Sequence, residues 1–172
     1  MPSRRLQEEQ VLADPLVREL LDARLVCVLA SFDSSGAIHA VPMWCAFGDD
    51  CVLLATGSRS RKARNLEADG RATVVLHDSR PGFEVCGVSM SGVVEIVRGR
   101  EARELVDRVH ARYVDPAVWK DSEIAPFLDS DDIALRFHPL SALSWDERGS
   151  AANATLRARG GAHPLVPTQP RP

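Results

Sequence analysis

The sequence predicts a mostly β fold of the α+β class: a closed or nearly closed antiparallel barrel of six strands with helices at its periphery. Three observations predict it. Short runs rich in β-branched and apolar residues recur, each bounded by a turn signal. The connections between the early runs are too short for the crossovers of a dozen or more residues that parallel strands need. A long late run carries Gly87 and Gly92 in its interior, where glycines mark the bends or bulges of a closing sheet. A parallel βαβ arrangement fits poorly, because only one helix falls between consecutive early strands.

The elements follow in order. Asp14-Pro15 starts the first helix, Asp as N-cap and Pro at the first helical position. Leu16, Val17, Leu20 and Leu21 give it one apolar face, suited to plugging an end of the core. Leu25 to Phe32 is the first strand, closed by Asp33-Ser34-Ser35-Gly36. Ala37 to Phe47 is the second and, after Gly48-Asp49-Asp50, Cys51 to Thr56 is the third. A short helix over Ser60 to Ala68 ends at Asp69-Gly70. Arg71 to His77 is the fourth strand, residues 78–82 a loop, and Phe83 to Val97 the fifth strand.

A helix over Arg100 to Val114 follows, with Ala102, Leu105, Val106, Val109 and Tyr113 on its buried face. Pro116 ends it, and a weaker helical segment runs to about Leu128. Ile133 to Trp145 is the last strand, broken near Pro139. Residues 1–148 thus form one domain. Gly149 to Pro172, rich in Ala, Gly and Pro with three arginines and no acid, is predicted to be a disordered tail.

The length of 172 residues suits one domain with a single sizeable core. A net charge of −3 gives no global attraction to nucleic acid or to an anionic membrane, and only 5% aromatic residues argues against base-stacking platforms. The apolar runs are far shorter than a membrane span of about 20 residues, and the first ten residues lack a signal-peptide core. Cys27, Cys45, Cys51 and Cys86 form no CxxC pair and read as reduced core residues of a cytoplasmic protein.

The most informative stretch for chemistry is Ser58-Arg59-Ser60-Arg61-Lys62-Ala63-Arg64-Asn65. Four cations lie at the start of a helix, where the macrodipole makes each unfavourable by roughly 0.3–1 kcal/mol. A bound phosphate reverses the sign of each contribution and meets free N–H groups and the hydroxyls of Ser58 and Ser60. Cations splayed into solvent explain the same letters, and a nucleic-acid patch is a third, weaker reading. Pro42 is the second anomaly. It cannot donate to a ladder, so its strand is exposed or splayed there, leaving Met43 and Trp44 to line a ring or, alternatively, Trp44 to enter the core of a plain edge strand.

Other constellations fail. No GxGxxG or GxSxG occurs, and Gly87 to Gly92 lacks the Lys and Ser/Thr of a P-loop. The histidines His39, His77, His110, His138 and His163 show no metal-ligand spacing.

The order of a helix, Leu25 to Phe32, Asp33-Ser34-Ser35-Gly36, Ile38-His39-Ala40-Val41-Pro42-Met43-Trp44, Leu53 to Thr56, Ser60-Arg61-Lys62-Ala63-Arg64-Asn65-Leu66 and Arg71 to Leu76 resembles the pyridoxamine 5′-phosphate oxidase-like split β-barrel proteins. Among them it looks most like the deazaflavin (coenzyme F420)-dependent reductases. The likeness spans about Leu16 to Trp145. It implies a homodimer with two equivalent cofactor sites, for F420 or FMN, at the subunit interface. Val41, Pro42, Met43 and Trp44 would run beside the tricyclic ring. Thr56, Ser58, Ser60, Arg61 and Lys62 would hold the phosphate end, with Asn65 near the ring or tail. The partner would contribute from the region before Trp145. Ser89-Met90-Ser91-Gly92 departs from the Val-Glu-Gly common in the family, so no acidic contact carries over there.

The resulting expectation is an oxidoreductase that passes a hydride from reduced F420, or FMN, to a small organic acceptor. Because the cofactor carries the chemistry, no catalytic residue is assigned; Tyr113 and His39 are the two side chains worth substituting. Two rivals stand beside it. One is a non-catalytic protein that stores or binds a flavin, F420 or haem. The other is pyridoxamine 5′-phosphate oxidase activity, disfavoured because Arg136 and His138 are the only cations in the last strand to meet a substrate phosphate.

Overall fold

Alternation of buried and exposed residues along the apolar runs sets the sheet, and two interruptions at prolines shape it. The computed structural model describes residues 3–48, 50–80, 84–128 and 131–161. The strands are β1 (Arg4–Gln7), β2 (Cys27–Phe32), β3 (Ile38–Met43), β4 (Cys45–Phe47), β5 (Val52–Gly57), β6 (Arg71–Ser79), β7 (Val85–Val97) and β8 (Asp132–Asp146). Between and after them lie the helices α1 (Glu8–Val11), α2 (Pro15–Asp22), α3 (Arg61–Ala68), α4 (Gly99–Ala111), α5 (Ala125–Leu128) and α6 (Ala151–Arg159), with a 3₁₀ turn at Pro116–Val118. All pairings among the described residues are antiparallel, in the order β3-β2-β6-β7-β8-β5-β4, with β1 added to β8.

The sheet closes through one chain segment. β3 pairs with β2 at one edge and β4 pairs with β5 at the other, yet only Trp44 separates β3 from β4. The expected second strand is therefore two strands that serve opposite edges, and Trp44 is the residue at which the chain leaves one ladder for the other. This split and the added β1 raise the strand count from the expected six to eight among the described residues. Pro42 lies opposite Val28 on an edge strand, exposed, where a missing N–H leaves no broken ladder.

The second proline does not break its strand. β8 runs through Pro139, against the expectation, and carries a bulge: Ser141 faces Ser91 while Pro139 faces Gly92, leaving Leu140 extra. On its other side β8 pairs with β5 up to Phe137 and with β1 from Ser141. Pro139 falls in the gap between those two ladders.

The barrel interior is filled by Leu29, Leu54, Leu76, Met90, Leu135 and Phe137, with Val17, Leu20 and Leu21 of α2 packed into the same core. Asp14 caps α2 as expected, accepting from the N–H groups of Leu16 and Val17 at 3.0 and 3.3 Å. A second apolar cluster lies outside the barrel, where Leu105, Val106 and Val109 of α4 cover Leu53 and Ala134. β5 is thus buried on both faces, which is why it reads as an unbroken apolar run. All four cysteines are buried.

Three further differences concern the helices. Tyr113 lies beyond the end of α4, which stops at Ala111, and the buried face is completed by His110. The weaker helical segment resolves into the 3₁₀ turn and α5. Residues 151–159, expected to be structureless, form α6, capped by Ser150 and ended at Gly160 with φ +62°. The expectations at Asp49, at Pro81, Gly82 and Phe83, and for the tail from residue 162 onward lie outside the described residues. No helix among the described residues is long and apolar enough to cross a membrane.

Candidate functional site

The break at Trp44 turns its side chain out of the barrel and onto α4. Its ring stacks on Tyr113 at 4.8 Å between centroids and 7° between planes, and meets His110 and Phe127 edge-on at 6.1 and 6.0 Å. The Tyr113 hydroxyl fixes the break. It donates to the Leu25 carbonyl at 2.7 Å and accepts from the Cys45 N–H at 3.2 Å. Burial pushes the phenol pKa up to about 12. Tyr113, expected as a residue worth substituting, is therefore a neutral structural clamp whose hydroxyl is committed to backbone.

Beside this aromatic group lies a cleft of about 660 Å³, walled by Pro42, Met43 and Trp44, by Ala55 and Thr56 of β5, and by Phe127. Lys62, His110 and Asp132 supply its polar lining. The cleft joins both anomalies of the sequence, the proline strand and the basic helix start, in one place.

The predicted residues divide by what they touch. Pro42, Met43, Trp44, Thr56 and Lys62 line the cleft. Val41 instead packs against the barrel core. Ser60 caps α3, accepting from the Ala63 N–H at 3.2 Å and from the Thr56 hydroxyl at 3.1 Å. The Ser58 hydroxyl donates to Asp131, so it is held by an acid. Arg61 pairs with Asp33 at 2.7 Å. The hydroxyl and N–H of Ser35 and the Arg61 guanidinium hold that carboxyl at about 2. Arg64 turns back to the Arg59 carbonyl at 2.6 Å. Asn65 is buried and donates to Ser31 at 3.3 Å, tying α3 to β2. Among the cations of this run, Lys62 is the one that faces the cleft, and it has no acidic partner among the described residues.

Sequence reasoning missed His110 and Asp132. His110 is 4% exposed, its Nδ1 is buried without a hydrogen-bond partner among the described residues, and its Nε2 lies 3.8 Å from Asp132 Oδ2. Burial lowers its pKa, with the nearby Asp132 charge opposing that shift. The other histidine singled out, His39, lies on β3 with a buried, unpartnered Nδ1 and is not part of the cleft lining.

The sequence profile of pyridoxamine 5′-phosphate oxidase matches residues 13–146. The chain belongs to that family. The pyridoxamine 5′-phosphate oxidase match spans β2 to β8 and so contains every wall of the cleft. Solved structures agree with the family's split-barrel fold. A conserved hypothetical protein of Mycobacterium tuberculosis is 29% identical, with 78% of this chain and 85% of that one covered and a TM-score of 0.67. An F420 reductase is 20% identical over 73% of this chain and 94% of its own, with a TM-score of 0.56. The haem storage protein HutZ of Vibrio cholerae is 17% identical over 73% and 89%, with a TM-score of 0.57. No curated protein matches the sequence.

Proposed function

We propose that this family member is a deazaflavin- or flavin-dependent oxidoreductase, with F420 preferred over FMN, that reduces a small organic acceptor. The observation that carries the reading is the convergence of an apolar, aromatic-walled cleft with one unpaired cation, Lys62, in the first turn of a helix. A planar ring fits against the Pro42–Trp44 wall, and a phosphate fits Lys62 and the N–H groups that open α3. When bound, the cofactor supplies hydride transfer. The chain's own residues bind and orient it: Lys62 neutralises the anion, Trp44 and Phe127 exclude water, and the Tyr113 clamp fixes the wall. Asp131 and Asp132 near the phosphate end limit that charge attraction, so Lys62 matters more than its neighbours.

The active form is proposed to be a homodimer with its cofactor sites at the interface. The outer face of β2, β3, β6, β7 and β8 exposes Val28, Phe32, Ile38, Val93 and Leu143, and Pro42 sits at the border between this face and the cleft. Four buried cysteines without a CxxC pair suit a cytoplasmic location. Among the structural neighbours, the F420 reductase and the haem storage protein suit a ligand in this cleft, so storage of a flavin, F420 or haem is the rival reading. Oxidation of pyridoxamine 5′-phosphate is disfavoured, because Arg136 is committed to Glu101 and Glu95 at 2.5 and 3.5 Å and His138 lies 3.7 Å from Glu95.

The test is a titration of the protein with F420, FMN and haem, followed by tryptophan emission. F420 or FMN is expected to bind with Kd below about 100 μM, roughly −5.5 kcal/mol. Lys62→Ala is expected to weaken that binding by about 1.5–3 kcal/mol, as for a lost charge-assisted bond. Failure of both F420 and FMN to bind, or binding of haem alone, overturns the reading. Binding without turnover by reduced cofactor favours storage.

A further inference from the structure

We propose that His110 and Asp132 bind the hydroxylated chain that links the ligand's ring to its phosphate, with one hydroxyl seated between the two side chains. The inference rests on the flavin or deazaflavin reading of the cleft and assigns the middle of that ligand to residues outside the basic segment.

Both groups are polar and largely enclosed. The His110 side chain is 6% exposed and that of Asp132 13%. Their closest atoms, Nε2 and Oδ2, are 3.8 Å apart, too far for a direct hydrogen bond. Among the described residues no other side chain donates a hydrogen bond to Asp132, and His110 Nδ1 has no partner. The gap between Nε2 and Oδ2, too wide for a direct bond and narrow enough for one oxygen to reach both atoms, is where a third group fits.

The chemistry of that group follows from the pair. An oxygen about 2.8 Å from each atom spans a separation of this size. Asp132 accepts only, and a neutral imidazole can donate through Nε2. A hydroxyl donates to the first while accepting from the second. A carbonyl, carboxylate or phosphate oxygen only accepts, so it satisfies His110 and is repelled by Asp132. An ammonium only donates.

Position agrees with chemistry. Asp132 faces Gly57 across the β5–β8 ladder, one residue beyond Thr56 at the phosphate end. His110 meets the Trp44 ring edge-on at the other. The pair lies between the anion-holding and ring-holding parts of the cleft. A porphyrin, whose polar groups are carboxylates, offers Asp132 nothing.

The experiment compares three probes on the full-length protein: the ring bearing only a methyl group (lumiflavin or its 5-deaza analogue), the ring with its polyol chain but no phosphate (riboflavin or 5-deazariboflavin), and the phosphorylated cofactor. Asp132→Asn, nearly isosteric, is expected to weaken the chain-bearing probes about tenfold and to leave the ring-only probe unchanged; His110→Gln, which also loses the edge-on contact with Trp44, is expected to weaken the chain-bearing probes by a clearly larger factor than the ring-only probe. Equal losses for all three probes, or unchanged binding of the phosphorylated cofactor, overturn the assignment. A cofactor that binds, responds to Lys62→Ala and ignores Asp132→Asn overturns this assignment alone. A cofactor that does not bind the wild-type protein overturns the cofactor reading and this assignment with it.

Discussion

Replacing Tyr113 by Phe separates a structural clamp from a proton donor. The phenol hydroxyl bridges the Leu25 carbonyl, ahead of β2, and the Cys45 N–H, at the start of β4. The substitution keeps the ring stacked on Trp44 and removes one atom, leaving one backbone acceptor and one backbone donor without that partner. Each orphaned group costs about 1–3 kcal/mol when buried. Tyr113 is half-buried, so water recovers part of this, and a net loss of about 2 kcal/mol is expected. For a domain of this size that corresponds to a fall in Tm of roughly 4–8 °C. Thermal and urea denaturation followed by circular dichroism measure it. Cofactor affinity should fall by a smaller factor, because the Trp44 wall loosens without losing a ligand contact. A variant with wild-type Tm but lost turnover would refute the reasoning and return the hydroxyl to catalysis.

Three other outcomes follow from particular contacts. In Gly92→Ala the new methyl group would overlap the His138 carbonyl and approach Pro139 Cα to 2.9 Å; because these are backbone atoms at a bulge, a loss of about 3 kcal/mol, roughly 6–12 °C in Tm, is expected by calorimetry. Burial depresses the His110 pKa below its usual 6.5, so the unfolded chain takes up that proton first. Its contribution to stability is full above pH 6.5 and is lost as pH falls through the folded pKa; urea midpoints from pH 8 to 5 should drop more steeply for wild type than for His110→Gln. The four cysteines, each at most 3% exposed, should resist a bulky thiol reagent until the protein is unfolded, and fast labelling of the native protein would contradict their burial.

The elements legible in the sequence are those whose signals are local. Asp14-Pro15 and Ser60 announce their helices because a cap is a contact over two or three residues. Apolar, β-branched runs bounded by turn residues announce β2, β6 and β7 for the same reason. What was not legible depends on partners far along the chain. The four cations near Ser60 look equivalent in sequence, yet Asp33, distant in sequence, takes Arg61, and Arg64 turns back to the Arg59 carbonyl, while Lys62 lines the cleft. His110 reads as one more helical residue until α4 lies across β5 and β8 and brings it to Asp132. The helix at 151–159 was missed because its composition is rich in Ala with few apolar anchors. Its stability comes instead from Ser150 at its start and from Asn153, which is buried and donates to the Arg148 carbonyl at 2.9 Å.

The closure of the sheet and the formation of the cleft are one event. A strand that stayed in register from Ile38 to Phe47 could pair along its whole length with β2, but it could not also reach β5. Serving both edges requires the backbone to leave the first ladder, and a residue that leaves a ladder must find other partners for its neighbours' polar groups. Tyr113 provides them at Cys45, and Pro42 just before the break lacks the N–H that would otherwise need one. The side chain at the break, freed from the alternation of the sheet, packs against α4 and becomes the wall of the cleft. The fold therefore places an apolar wall beside the first turn of α3 as a consequence of closing its barrel. The identity of the ligand is left to the few polar groups around that wall: Lys62, His110 and Asp132.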